Sequence, residues 1–229
     1  SPDPLYANSA DPRWQWHLHA ANAGGAWLST VGAGVTVAVL DTGVNNGVDG
    51  FCRPFVAAYN AVTGIAGTGA ALDTDGHGTH VAGSAAQCSD NGVGGAGMAP
   101  EASVMPVKVF SSSGGANTSD VARGMDWAVA NGARVINMSL GCSTCGGSTT
   151  LNAAIDRAAA AGVVIIVSSG AVAEGCVRLG LARRPDALAD LQAAAFLDAP
   201  FDESPADSLS AEGVIDGERA DLGDVGPDD

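Results

Sequence analysis

The sequence predicts an α/β protein built on a mainly parallel sheet flanked by helices, and two observations carry that prediction. Between residues 35 and 170, short β-branched runs alternate with alanine-rich stretches of helical length, and Gly, Asn or Pro punctuates each junction. Parallel strands need crossover connections, and helices supply them. The apolar runs predict buried strands over 35–40, 103–109, 133–139 and 163–168. Helices are predicted over about 80–87, 119–131 and 149–161. For the second, Ser119 is the expected N-cap and Gly132 lies just past the end, while Gly162 stops the third. The first thirty residues, with Trp14, Trp16 and Trp27, show no clear periodicity and are expected to lie over the core as an arm.

Composition bounds the rest. A chain of 229 residues, 46% apolar and 15% charged, suits one compact domain with a real core. Its longest apolar runs fall far short of the roughly 20 residues that cross a bilayer, so no transmembrane helix is expected. Without a basic-then-apolar leader at Ser1, the expectation is a mature or excised chain. The net charge of −15 is concentrated, because 185–229 holds 13 of the 25 acidic residues against one basic residue, Arg219. An acidic balance argues against nucleic acid and anionic membrane as partners, since both call for a basic face. Five cysteines, Cys52, Cys88, Cys142, Cys145 and Cys176, favour an extracellular protein with two disulfides and one free thiol. Cys142-Ser-Thr-Cys145 has no second pair at zinc-finger spacing and reads as part of a loop disulfide.

Two segments carry chemistry. Val-Thr-Val-Ala-Val-Leu40 runs into Asp41-Thr-Gly43, so a buried parallel strand delivers a carboxylate at its C-terminal edge, where open α/β sheets place their sites. Further on, Asp73-Thr-Asp-Gly-His77-Gly-Thr-His80-Val-Ala-Gly83 sets an imidazole between two glycines at the start of a helix. Imidazole exchanges protons near neutral pH, and a buried carboxylate on its other nitrogen fixes the tautomer and steadies the cation. Asp41 is the natural candidate for that carboxylate.

These two segments resemble the aspartate and histidine motifs of the subtilisin-like serine proteases. Three more stretches agree: Asn91-Gly-Val-Gly-Gly-Ala-Gly-Met-Ala-Pro100, Val104-Met-Pro-Val-Lys-Val109, and Gly132-Ala-Arg-Val-Ile-Asn-Met-Ser139-Leu-Gly141. The resemblance implies the three-layer fold of that family and a secreted endopeptidase that hydrolyses polypeptides. It implies that Asp41 orients His77, that His77 is the general base, and that Ser139, Leu140 and Gly141 line the cleft as a strand to which extended substrate adds. It also implies a structural Ca²⁺ on a loop formed by Asn91 and the carbonyls of Val93 and Gly95, with Asp49 and Asp3 offering carboxylates. No cofactor is expected for the chemistry itself.

The likeness weakens after Gly170. The family pattern continues there with an asparagine that completes the oxyanion hole, whereas this chain has Ala171, whose methyl donates no hydrogen bond. In enzymes of this type, loss of such a donor costs about 2.7 to 4 kcal/mol in the transition state. A remnant of the pattern is visible at Cys176 and across 182–188, but no Gly-Thr-Ser nucleophile segment occurs anywhere. No serine is nominated as nucleophile. The chain is therefore divided into 1–170, the N-terminal portion of a catalytic domain, and 171–229, a divergent acidic tail whose composition predicts disorder and whose abrupt onset is what a frameshift would leave. The chain as written is expected to be inactive. A non-catalytic peptide-binding protein is the alternative. An aspartic protease, which shares the Asp-Thr-Gly triplet, fails because Asp73-Thr-Asp-Gly76 does not provide the second such loop.

Overall fold

The computed structural model describes residues 3–8, 10, 14–46, 50–141 and 148–168. The expectations that concern Asp49, Cys142, Cys145, Ala171, Cys176 and the acidic tail lie outside the described residues.

Six strands form one sheet in the order β3-β2-β4-β1-β5-β6. They are β1 (Thr36–Asp41), β2 (Tyr59–Asn60), β3 (Ile65–Ala66), β4 (Ser103–Lys108), β5 (Val135–Met138) and β6 (Val164–Val167). Only the β2/β3 pairing is antiparallel; β1 is flanked in parallel by β4 and β5, and β6 pairs in parallel with β5. The four predicted strands are thus present with no end displaced by more than two residues. The two-residue strands β2 and β3 are additions that no period-2 pattern could reveal. Pro106 sits inside β4, where a missing N–H would ordinarily break a ladder. Ser103 and Val109 donate to Val35 and Asp41 at 2.9 Å, so the odd-numbered residues serve β1. The N–H that Pro106 lacks falls on the other side, where pairing with β2 begins only at Val107.

Helices cover both faces. Alternation along β1 sends Ala38 and Leu40 to a core shared with α5 (Thr118–Ala130) and α6 (Thr149–Ala160), and Val37 and Val39 to a second core against α4 (His77–Ala86). Both α5 and α6 end as the sequence predicts. Gly132 (φ 87°) and Gly162 (φ 79°) occupy the left-handed position, and the N–H groups of Ala133 and Val163 reach back to Ala128 and Ala158 at 3.0 Å. The start of α5 differs, since Asn117 and not Ser119 holds the cap position, and its amide contacts Asp120 at 3.2 Å.

The arm is more ordered than its lack of periodicity suggested. It forms three short helices, α1 (Pro4–Ala7), α2 (Trp16–Ala20) and α3 (Ala23–Ala26), around a small core of Leu18, Ala23, Ala96 and Met98. Gln15 clasps Ala96 from both ends of its amide, accepting from its N–H at 2.8 Å and donating to its carbonyl at 2.9 Å; the Trp27 indole donates to the Met98 carbonyl at 2.8 Å. A disulfide joins Cys52 to Cys88, linking the segment before β2 to the end of α4.

Candidate active site

Strand β1 ends on Asp41, which is fully buried. Its Oδ1 accepts from the Thr42 N–H at 2.6 Å and from His77 Nδ1 at 2.8 Å. The other oxygen, Oδ2, is buried with no hydrogen-bond partner among the described residues. Burial pushes the Asp41 carboxyl above its usual range, and the bonds from His77 and Thr42 work against that. His77 opens α4, with its side chain 28% exposed, so its Nδ1 is committed to the carboxylate while the ring keeps a solvent-facing edge. Among the described residues no serine hydroxyl is bonded to the ring.

The sequence motif places the pair; Asp73 fixes it. The helix begins at His77, three residues before the predicted start, because the Asp73 carboxylate satisfies the amides of the preceding turn. Its Oδ1 accepts from the Asp75 and Gly76 N–H groups at 3.0 and 2.9 Å, and Oδ2 accepts from Thr79 N and Oγ1 at 2.9 and 2.6 Å. Burial alone would raise the Asp73 carboxyl, but the donors at Gly76, Thr79 and Asp75 outweigh it and hold the group down to about 2. Thr42 links the two aspartates, since its Oγ1 donates to Asp73 Oδ1 at 2.9 Å and accepts from Gly78 N at 2.9 Å. Asn45 locks the same turn from outside, exchanging bonds with the Asp73 backbone at 2.7 and 3.0 Å. Sequence reasoning missed Thr42, Asn45, Asp73 and Thr79 as site residues. The signal was an Asp four residues ahead of a histidine in a Gly-rich helix start, which has the look of an anionic cap.

Gly78 explains why a glycine must follow the histidine. A Cβ there would lie 2.2 Å from the Gly43 carbonyl oxygen and 2.9 Å from Asp41 Cβ and Oδ1. Bare backbone lets the first turn of α4 close on the end of β1.

Ser139, Leu140 and Gly141 follow β5 at the same edge of the sheet. Continuing the β1/β5 register, in which Val39 pairs with Asn137, brings Ser139 level with Asp41. Ser139 Oγ accepts from the Asn137 amide at 2.9 Å, and the Leu140 carbonyl accepts from Ser168 Oγ at 3.1 Å. Leu140 packs partly against the core, whereas Gly141 is exposed.

The loop nominated for calcium forms around Asp3. That carboxylate is 2% exposed and accepts from the N–H groups of Asp90, Asn91 and Gly92 at 2.7, 3.0 and 3.1 Å. Asn91 Oδ1 accepts from Val93 N at 2.8 Å. No group of three or more His, Cys, Asp or Glu side chains suited to a metal occurs among the described residues. The donor set there, a buried carboxylate, one amide oxygen and backbone carbonyls, is of the hard-oxygen kind that Ca²⁺ takes. Asp49, the second carboxylate of that expectation, lies outside the described residues.

Residues 32–192 match the model of the subtilase family, a span that runs past residue 170. Alkaline elastase YaB of Bacillus sp. is 40% identical over 139 residues, which is 61% of this chain and 34% of that protein. Subtilisin Savinase of Lederbergia lenta is 38% identical over 146 residues, 64% of this chain and 51% of its own length. The chain thus spans about a third to a half of these relatives. Among solved structures, a protease from Pseudoalteromonas arctica superimposes with a TM-score of 0.62 at 33% identity, covering 72% of this chain and 58% of that one. Fervidolysin from Fervidobacterium pennivorans, a keratinolytic enzyme related to subtilisin, gives 0.61 at 30% identity, over 77% and 29%.

Proposed function

The chain belongs to the subtilase family, and on that premise we propose that it represents a serine-endopeptidase domain in which Asp41 orients His77 and His77 is the general base. The observation that carries this reading is the 2.8 Å contact between His77 Nδ1 and a carboxylate buried at the end of the central strand. With Nδ1–H donated to Asp41, Nε2 is the nitrogen left to take a proton from a nucleophile and return it to a leaving group. Asp41 holds the tautomer and offsets the positive charge that forms. Extended polypeptide would add along Ser139, Leu140 and Gly141, and the exposed Gly141 backbone suits such an addition.

The chain as written lacks the means to use this pair. No Gly-Thr-Ser segment is present and Ala171 stands where the family carries its oxyanion amide. Removing the nucleophile alone abolishes nearly all the catalytic advantage of such a triad. The purified 229-residue chain is expected to show no peptide hydrolysis above background in a fluorogenic peptide assay. Turnover that a serine-directed phosphonate blocks would refute this. Binding of extended peptides by the folded, inactive chain, measured by calorimetry, would favour the peptide-binding alternative.

Calcium and localisation are parts of the same proposal. Asp3, Asn91, Val93 and Gly95, with Asp49, would hold the ion, which supplies positive charge that ties the arm to the loop. A rise in melting temperature with Ca²⁺ that Asp49→Asn removes supports it, and no calcium response contradicts it. The cysteines favour secretion, and among the described residues no helix is long and apolar enough to cross a membrane.

A further inference from the structure

Lys108 is the sole lysine in the chain; the other nine of its ten cationic Lys and Arg side chains are arginines. It ends β4 directly opposite Asp41 in the parallel register, so the two side chains project from the same face, the one that α4 covers. The Lys108 ammonium donates to the Thr42 carbonyl in a close contact. The remaining polar groups of Thr42 are already committed to the site: N–H to Asp41 Oδ1, and Oγ1 between Asp73 Oδ1 and Gly78 N. Thr42 is therefore the joint through which the aspartate, the cap of the histidine helix and the lysine are mechanically connected. A compact ammonium on a flexible stem can reach a single carbonyl from a half-buried strand end, which a planar guanidinium fork does less readily. The ionisable side chains around that joint are Asp41 on β1, Asp73 and Asp75 on the turn before α4, and His77 at its start, and Lys108 reaches the joint from β4.

We propose that Lys108 is a positioning residue for the Asp41–His77 pair: through the Thr42 carbonyl it anchors the turn that aims the carboxylate. The proposal rests on the reading of Asp41 and His77 as orienter and base. Its test does not need turnover. In the full 229-residue chain labelled with ¹⁵Nζ-lysine, the ammonium gives a single lysine resonance, and Asp41→Asn is expected to shift it. Lys108→Met is expected to move the low-field Nδ1 proton of His77 and the ¹³Cγ resonance of Asp41, because the Thr42 turn that aims the carboxylate loses its anchor. A purely structural lysine would lower stability and leave both signals in place. A lysine resonance indifferent to Asp41→Asn, or unmoved His77 and Asp41 resonances in folded Lys108→Met, overturns the proposal. Should Lys108→Met not fold, the lysine signal in the unsubstituted chain and in Asp41→Asn decides alone. Absence of the low-field His77 proton from the unsubstituted chain would instead overturn the orienter-and-base reading, and the role of Lys108 with it.

Discussion

Replacing Asp73 with Asn removes a charge around which the start of the histidine helix is organised. The carboxylate receives five hydrogen bonds, from Thr42 Oγ1, Asp75 N, Gly76 N, Thr79 N and Thr79 Oγ1, all between 2.6 and 3.0 Å. An amide presents one oxygen and one NH₂, so the Thr79 donors would face another donor. The magnitude follows from the acidity. A carboxyl held at about 2 in the folded chain, against 3.8 when unfolded, contributes about 2 kcal/mol of stability at neutral pH. Its folded value is depressed, so that contribution is fully present above the unfolded value and is lost as pH falls through the folded one. Urea unfolding of wild type and Asp73→Asn should therefore differ by about 2 kcal/mol at pH 7, and the gap should close between about pH 4 and pH 2. The other carboxylates titrate in both proteins and cancel in the difference. A gap that is already negligible at pH 7, or that stays constant down to pH 2, would refute the assignment of Asp73 as an ionised cap.

Gly78→Ala should cost about 3 kcal/mol or more, because its methyl meets the Gly43 carbonyl and Asp41 with no room to turn aside, and loss of the low-field His77 proton is the accompanying NMR sign. Asp41→Asn should be no less stable than wild type at pH 7, since burial penalises the charged carboxyl; as pH falls through the raised folded value that penalty, and any advantage of the variant, should fade, and a lower melting temperature at pH 7 would contradict this. Replacing Cys52 and Cys88 by serine opens a loop spanning 36 residues and should lower stability by about 3 to 4 kcal/mol, read from the urea midpoint.

Much of this architecture is legible in the sequence, and the reasons are physical. Strands β1 and β4 are buried on both faces and β5 and β6 are buried or half-buried throughout, so all four read as continuous apolar runs, and Gly132 and Gly162 mark the ends of α5 and α6 because only a left-handed residue closes those turns. Asp41 and His77 were legible as a pair because their motifs are specific. The strands β2 and β3 were not, since two residues have no period, and neither were the arm helices, which a few long-range side chains such as Gln15 and Trp27 hold in place. The start of α4 was placed late because its capping group is a side chain four residues upstream, and Lys108 was seen only as part of a motif because its partner, the Thr42 carbonyl, is 66 residues away in sequence.

The way the arm is fastened has a kinetic corollary. Asp3 is bound by amides 87 to 89 residues further along the chain, and Gln15 by one 81 residues away. Contacts that distant close large loops and lag behind local ones. On a ribosome adding about 5 to 20 residues each second, the arm would wait several seconds for its docking loop to emerge. Until then Leu18, Ala23 and Trp27 would have only one another for shelter, which makes this stretch the natural place for a chaperone to bind the growing chain.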